Sequence, residues 1–334
     1  MQQIWIRKFG RADVLSVETS NDTALTLAPD EVLVDVHYSG INFADIMMRL
    51  GFYKDAPPRP FIPGYEFSGV ISAIGSNVKH LVVGDEVYGG SVFGGYVSSI
   101  KVPANMAIKK PDHLTLEQAA GLPVAFITAY AALVNMGRVR QGDKVMIDCA
   151  SGGVGTLALQ MLSKIGAQVV GLTSSPAKKE LIESFGATAL THEEFANNKD
   201  LTRFDFILNS LGGTSIRRHY ERLGPNGRIV CLGLSDGIKD GKRDFLRLIS
   251  AAIMMPRFSI ISMFDKNRGV FALNALKLME DPIYLADNLA AFDKVSQWQL
   301  KPHIGKVFAH RDVALAHKMI EGKKAMGKVL LAWN

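Results

Sequence analysis

The stretch VMIDCASGGVGTLALQ, residues 145–160, constrains this chain more than any other. An apolar run ends in a cluster of small residues, and a new apolar pattern begins directly behind it. Lys144–Cys149 has the character of a strand, residues 153–158 spell GxGxxA, and residues 154–165 have the periodicity of a helix. Gly153 suits a tight turn. Gly155, with no Cβ, lets the backbone approach a pyrophosphate, and Ala158 lets the helix pack close to the sheet. The open N–H groups and positive dipole end of such a helix face phosphates. A bare tight turn would explain the string alone, but a strand before it and a helix after it point to a nucleotide.

The pattern continues to alternate. Strands are expected at 168–173, 204–209 and 227–232, and helices at 176–185 and 214–223. That alternation predicts a parallel sheet with helices on both faces, an α/β doubly wound unit. The end of its second strand discriminates between nucleotides. An NAD site usually places an acidic residue about twenty positions after the glycines. Here Ser174, Ser175, Pro176, Ala177, Lys178 and Lys179 follow the strand, and no acid appears before Glu180. Hydroxyls and a lysine suit a 2′-phosphate, so NADPH is expected. Ser175 before Pro176 is also a good helix cap, and both roles are compatible.

The first third is different. EVLVDVH (31–37) alternates, Gly69–Ile74 and Glu86–Tyr88 are further short strands, and no long helical pattern appears before Thr115, a plausible N-cap. This predicts an antiparallel, barrel-like domain over 1–124. Residues 125–137 suit a buried helix at the start of a nucleotide-binding domain over 125–266. A helix is expected over Asn267–Met279. The tail offers a strand, a helix from Asp312 to Gly322 and the strand KVLLAW. It is too short for its own core, so residues 267–334 are expected to return to the first domain.

Composition narrows the function. The chain has 334 residues, 48% hydrophobic and 21% charged, enough for a large core. The net charge of +6 is scattered, which favours a solvated surface over nucleic-acid binding. Cys149 and Cys231 lie in apolar runs without CxxC spacing. They are expected as buried thiols in a reducing, cytoplasmic setting. MQQIWIRKFG lacks the apolar core of a signal peptide. The apolar stretch Phe245–Phe264 is broken by Arg247, Pro256 and Arg257, a poor membrane span.

Six stretches together resemble one family: GINFADIMMRLGFY (40–53), PGYEFSGVISAIG (63–75), VGDEVYG (83–89), PVAFITAY (123–130), ASGGVG (150–155) and GKVLL (327–331). They resemble the medium-chain dehydrogenase/reductase superfamily, specifically its zinc-independent quinone oxidoreductase branch. Residues 242–270 resemble the VAT-1-like subgroup. The resemblance implies a GroES-like β-barrel catalytic domain and a Rossmann domain. Where zinc enzymes of the superfamily carry Cys and Gly-His-Glu ligands, this chain has Asn42 and Tyr65, with only Glu66 kept, so no zinc is expected.

By that resemblance, Asn42 and Thr128 border the nicotinamide and substrate, and Tyr53 lines the same pocket. Gly152, Gly153, Val154 and Gly155 hold the pyrophosphate, and Lys178, beside Ser174, meets the 2′-phosphate. Asn209, Gly233 and Lys328 lie near the rest of the cofactor. His192 and Glu193 stand about where some relatives place a tyrosine near the adenosine phosphate. Plainer readings exist. Asn42 caps a helix at 43–50, Asp45 pairs with Arg49 at i+4, Tyr53 anchors a proline-rich loop, and Thr128 bonds a carbonyl in its own helix. The expected reaction is hydride transfer from NADPH to a quinone or α,β-unsaturated carbonyl. Hydrogen-bond donors such as Asn42 and Tyr53 would answer the negative charge that grows on oxygen. The alternative is a nucleotide-binding, VAT-1-like interaction or membrane-associated protein with little turnover. In that frame the apolar stretch Phe245–Phe264, with its basic residues Lys242, Arg243, Arg247 and Arg257, is a membrane contact; the plainer readings are a pocket wall, or a homodimer contact made by the strand-like SIISMF (259–264).

Overall fold

A computed structural model of the chain describes residues 1–20, 26–233 and 255–333. β1 (Gln2–Ile6) and β2 (Leu15–Thr19) pair as a two-stranded antiparallel ribbon. β3 (Glu31–Ile41) realises the EVLVDVH alternation and turns Val32, Val34 and Val36 into the core. It pairs antiparallel with β4 (Glu66–Ile74) and β6 (Ser99–Pro103). β5 (Glu86–Gly90) and β7 (Ala107–Lys109) extend the sheet beyond β4. Helix α1 (Phe43–Leu50) leaves β3, and α2 (Leu116–Ala120) starts on a Thr115 capping box, with Gln118 N–H donating to Thr115 Oγ1 at 3.2 Å. α3 (Pro123–Tyr130) continues into a π-helical turn over Ala131–Met136.

From Ala125 to Leu300 the described chain builds a second unit. Its strands are β8 (Lys144–Ile147), β9 (Gln168–Thr173), β10 (Thr188–Thr191), β11 (Phe204–Asn209), β12 (Leu223–Cys231) and β13 (Gly269–Ala272). All pair parallel in the order β10-β9-β8-β11-β12-β13. The connecting helices include α4 (Gly153–Ile165), α5 (Lys179–Glu183), α6 (His192–Asn197), α7 (Thr214–Tyr220) and α8 (Ile260–Lys266). The strand order reverses between β8 and β11. This is the doubly wound Rossmann topology, whose ligands sit beyond the carboxyl ends of the strands at that switch point. α9 (Ala275–Glu280), α10 (Pro282–Ala291) and α11 (Asp293–Gln297) complete the unit, and Phe292 packs on Phe126 at 4.7 Å between ring centroids.

The chain then returns to the first unit with β14 (Ile304–Ala309), α12 (Val313–Glu321) and β15 (Lys328–Ala332). β15 pairs antiparallel with β3, with Val329 opposite Ile41, and the seven-stranded sheet reads β14-β15-β3-β4-β5-β7 with β6 also on β3. Trp333 Nε1 donates to Ser39 Oγ at 2.8 Å, and Ser39 Oγ donates to the Gly95 carbonyl at 2.6 Å, which anchors the last strand.

Three expectations differ from this architecture. Residues 267–279 are not one helix. Asn267 closes α8 in the left-handed region, φ 49°, and β-branched and aromatic GVFA then joins β12 as an edge strand before α9. SIISMF is not a strand: after Ser259 it winds into α8. Residues 267–300 group with the second unit rather than the first, because β13 extends its sheet and Phe292, Val295 and Leu300 are buried in it. Of the apolar stretch 245–264, residues 245–254 lie outside the described residues, as do Lys242, Arg243 and Arg247.

Candidate functional site

In the first unit, the register of β15 against β3 puts Lys328 beside Asn42, although they are 286 residues apart. Lys328 Nζ donates to Asn42 Oδ1 at 2.8 Å and to Glu66 Oε1 across a short ion pair. Asn42 Nδ2 donates to the same Glu66 Oε1 at 2.8 Å, and Glu66 Oε2 accepts from Val124 N–H at 2.8 Å. Lys328 and Glu66 are buried, and Asn42 is half-buried. Gly40 makes room for this carboxylate, since a Cβ there would stand 2.2 Å from Glu66 Oε1.

The helix-capping reading of Asn42 is half right. Its backbone N–H donates to Asp45 Oδ2 at 2.7 Å, while its side-chain amide is committed to Lys328 and Glu66. Asp45 does not pair with Arg49. The carboxylate is fully buried, also accepts from Gly64 N–H at 3.1 Å and Tyr96 Oη–H at 3.2 Å, and burial pushes its pKa up to about 7. Arg49, buried too, pairs instead with Glu321 of α12, because α1 turns that face toward α12 rather than along itself. Tyr96 Oη also lies 3.3 Å from His317 Nε2, and burial holds His317 well below the usual histidine range.

Tyr53 packs edge-on against Tyr65, 6.4 Å between centroids, and Tyr65 packs on Phe93 at 5.3 Å. Burial, then a hydrogen bond with Tyr53, raises the Tyr65 phenol and keeps it protonated. Phe93 adopts φ 71°, uncommon for a bulky residue and a strain that the surrounding fold must hold. Sequence reading missed Phe93, whose only signal was the FGG string around it.

In the second unit, the carboxyl end of β8 carries the glycine turn. The left-handed residue there is Cys149, φ 54°, not Gly153. Gly152 is the N-cap of α4 and offers no side chain, so the helix's leading N–H groups stay open. Gly155 permits close packing, because a Cβ would meet the Cys149 and Ala150 carbonyl oxygens at 2.5 and 2.6 Å. Val154 lies between Gly153 and Gly155 in the first turn. Ser151 Oγ and Thr173 Oγ1, 3.3 Å apart, tie this turn to the end of β9, where Ser174 is exposed and Lys178 is 8% exposed. Burial lowers the Lys178 ammonium's pKa, while neighbouring Cys149 works the other way. Neither cysteine is fully buried: Cys149 stands on the turn and Cys231 at the end of β12, where the chain leaves the sheet.

Asp148, at the switch point, is buried and accepts from Leu211 N–H at 3.3 Å, bracing β8 against β11. Asn209 is also buried. Its Nδ2 lies 2.9 Å from Ser215 Oγ and 2.8 Å from His219 Nδ1, and its Oδ1 accepts from Gly212 N–H at 2.9 Å. Its side chain therefore shapes the β11–α7 turn. His192 Nε2 lies 3.6 Å from Asp148 Oδ1, and Glu193 is exposed. Thr128 is half-buried on α3, and Gly233 follows β12.

Residues 28–112 match the alcohol dehydrogenase GroES-like domain, and residues 153–281 match the zinc-binding dehydrogenase family. With both architectures and both sites in place, the chain belongs to the medium-chain dehydrogenase/reductase superfamily. Within it the VAT-1-like resemblance holds. The chain is 30% identical over 333 residues to the human synaptic vesicle membrane protein VAT-1 homolog, covering 97% of this chain and 84% of that protein. Among solved structures it is similar to the Thermus thermophilus quinone oxidoreductase, crystallised also with NADPH (25% identity, TM-score 0.80, 99% and 100% coverage), and to the CurK enoyl reductase (26%, 0.83, 99% and 98%).

The zinc-binding description invites a test of the donor set. At the positions of the expected ligands stand an amide, a phenol held protonated, and a carboxylate already paired with Lys328. These do not fit zinc. No group of three or more His, Cys, Asp or Glu suited to a metal occurs among the described residues. The dinucleotide fits better: a thirteen-residue helix whose N-cap offers no side chain and a buried lysine just after β9 suit phosphates. No helix among the described residues is long and apolar enough to cross a membrane.

Proposed function

We propose that the chain is an NADPH-dependent, zinc-free oxidoreductase that reduces a quinone or an α,β-unsaturated carbonyl. The observation that carries this is the end of β9, where buried Lys178 and exposed Ser174 sit beside the glycine turn with no acid in the position an NAD ribose requires. NADPH, when bound, supplies the hydride. Gly152–Gly155 and the α4 N-terminus hold its pyrophosphate, and Lys178 with Ser174 holds the 2′-phosphate. Asn42, through an Nδ2–H, and the Tyr53 hydroxyl answer the negative charge growing on the acceptor oxygen. Quinones and enones delocalise that charge themselves, which suits a site whose cation is an ammonium. The quinone oxidoreductase and enoyl reductase relatives support this acceptor class.

Calorimetry on the purified protein tests the reading. NADPH is expected to bind at least tenfold tighter than NADH, about 1.4 kcal/mol, and Lys178→Ala to abolish that preference. Equal affinities in the wild type would remove the NADPH assignment. No NADPH oxidation across a broad quinone and enone panel would remove the reaction.

A second reading concerns partners. Ile260, Ile261 and Phe264 are 77%, 74% and 83% exposed on α8, just before β13, the edge strand of this sheet among the described residues. So much apolar surface on one short helix favours a contact with a second copy of the chain.

A further inference from the structure

A primary amide has two ends of the same shape and opposite hydrogen-bonding character. An ammonium only donates and a carboxylate only accepts. With Lys328 Nζ 2.8 Å from one end of Asn42 and Glu66 Oε1 2.8 Å from the other, only one orientation is tolerated. The reverse would set donor against donor and acceptor against acceptor. Lys328 and Glu66 are themselves immobilised. Lys328 is 4% exposed, Glu66 is fully buried, and Glu66 Oε2 is pinned by Val124 N–H. A buried ion pair of this kind contributes little to stability compared with an apolar pair of the same volume. Its value here lies in what it orients.

We infer that Lys328 and Glu66 are positioning residues that fix the Asn42 amide so that a single Nδ2–H is left for a ligand. One Nδ2–H goes to Glu66, and the other has no acceptor among the described residues. The ammonium on Oδ1 polarises the amide and strengthens that remaining donor. The pair thus presents the acceptor oxygen of a quinone or enone with one oriented N–H, and Lys328 acts through Asn42 rather than on the cofactor. This rests on the reaction proposed above.

The test compares wild type with Lys328→Met and with Lys328→Met/Glu66→Gln. The single variant strands a buried carboxylate and is expected to melt at lower temperature. The double variant removes both charges and regains most of that loss. A purely structural pair would regain activity with it. A positioning pair leaves kcat down by about 100-fold in both variants, the usual effect of one lost donor, with KM for NADPH within about twofold. Recovery of kcat in the double variant, or weakened NADPH binding at unchanged kcat, overturns the inference. A readout without turnover keeps it separate from the reaction. In ¹⁵N spectra of the apo protein, the Asn42 side-chain protons, identified by their loss in Asn42→Asp, are expected as two resonances of unequal exchange rate. They should merge toward equal, fast exchange in the double variant. If that signature holds while no quinone or enone is reduced, the reaction fails and the positioning stands. Equal, fast exchange already in the wild type overturns the positioning.

Discussion

At the scale of single residues, the glycine turn shows how a short string acquires its function. Cys149 takes the left-handed conformation, so the glycines behind it are free for another purpose. Gly155 brings α4 against the carbonyls of Cys149 and Ala150. An added methyl would meet both oxygens well inside contact distance. Gly155→Ala is therefore expected to lower stability by about 1–3 kcal/mol, the range for overpacking, and to weaken NADPH binding as the turn shifts. A melting curve and a titration check both. The string made this turn legible, because GxGxxA after a strand has few other uses. Asn42 was less legible. Its place before FADIMMRL signalled a cap, but its amide answers to Lys328, whose proximity arises only when β15 pairs with β3. Likewise Asp45 and Arg49 stand four apart on α1, and helical spacing predicts an ion pair. Burial overrides it, because each is claimed by a partner outside the helix.

At the scale of elements, strands bounded by turns and helices with caps were readable, and residues 259–280 were not. Ile, Ile and Phe after Ser259 have strand character by composition, yet they wind into a helix that Asn267 closes. GVFA, embedded in an apparently helical run, joins the sheet edge instead. Short apolar runs carry no period of their own, and tertiary pairing decides them. The exposed face of α8 belongs to this scale. If it meets a second copy, Phe264→Glu places a charge in an apolar contact. The expected result is a shift from dimer to monomer in light scattering at micromolar concentration, with the circular dichroism spectrum unchanged. A wild-type monomer at the same concentration would refute the contact.

At the scale of the whole molecule, the alternation of strands and helices made the Rossmann unit legible, and the early alternating strands made the barrel-like unit legible. Where the second unit ends was hidden, because only strand pairing assigns residues 267–300. The buried groups of the first unit set its response to pH. Asp45 has a folded pKa of about 7, above its ordinary value of 3.8, so the folded state holds a proton that the unfolded state releases. Its contribution to stability is present below about pH 4 and lost as pH rises to about 7, on the order of 4 kcal/mol by linkage. His317 acts oppositely: held neutral by burial, it costs stability as pH falls below its ordinary 6.5. The two slopes overlap, so the clean measurement is a difference. Denaturant unfolding of wild type and Asp45→Asn across about pH 4–8 is expected to show the wild type losing ground to the variant between about pH 4 and 7. A constant gap would mean the Asp45 carboxyl titrates normally.

The seven-stranded sheet is closed by a strand at residues 328–332, and the residue that orients Asn42 is the first of that strand. During synthesis the ribosome delivers Asn42 and Glu66 long before Lys328. Until then the nascent chain carries an unmatched carboxylate at the base of an unfinished sheet. The intervening Rossmann segment has all its described strands by residue 272 and can fold while translation continues. The first unit must wait until residue 332 has left the ribosome, so its Asn42–Glu66–Lys328 cluster forms only after the described Rossmann strands have been made.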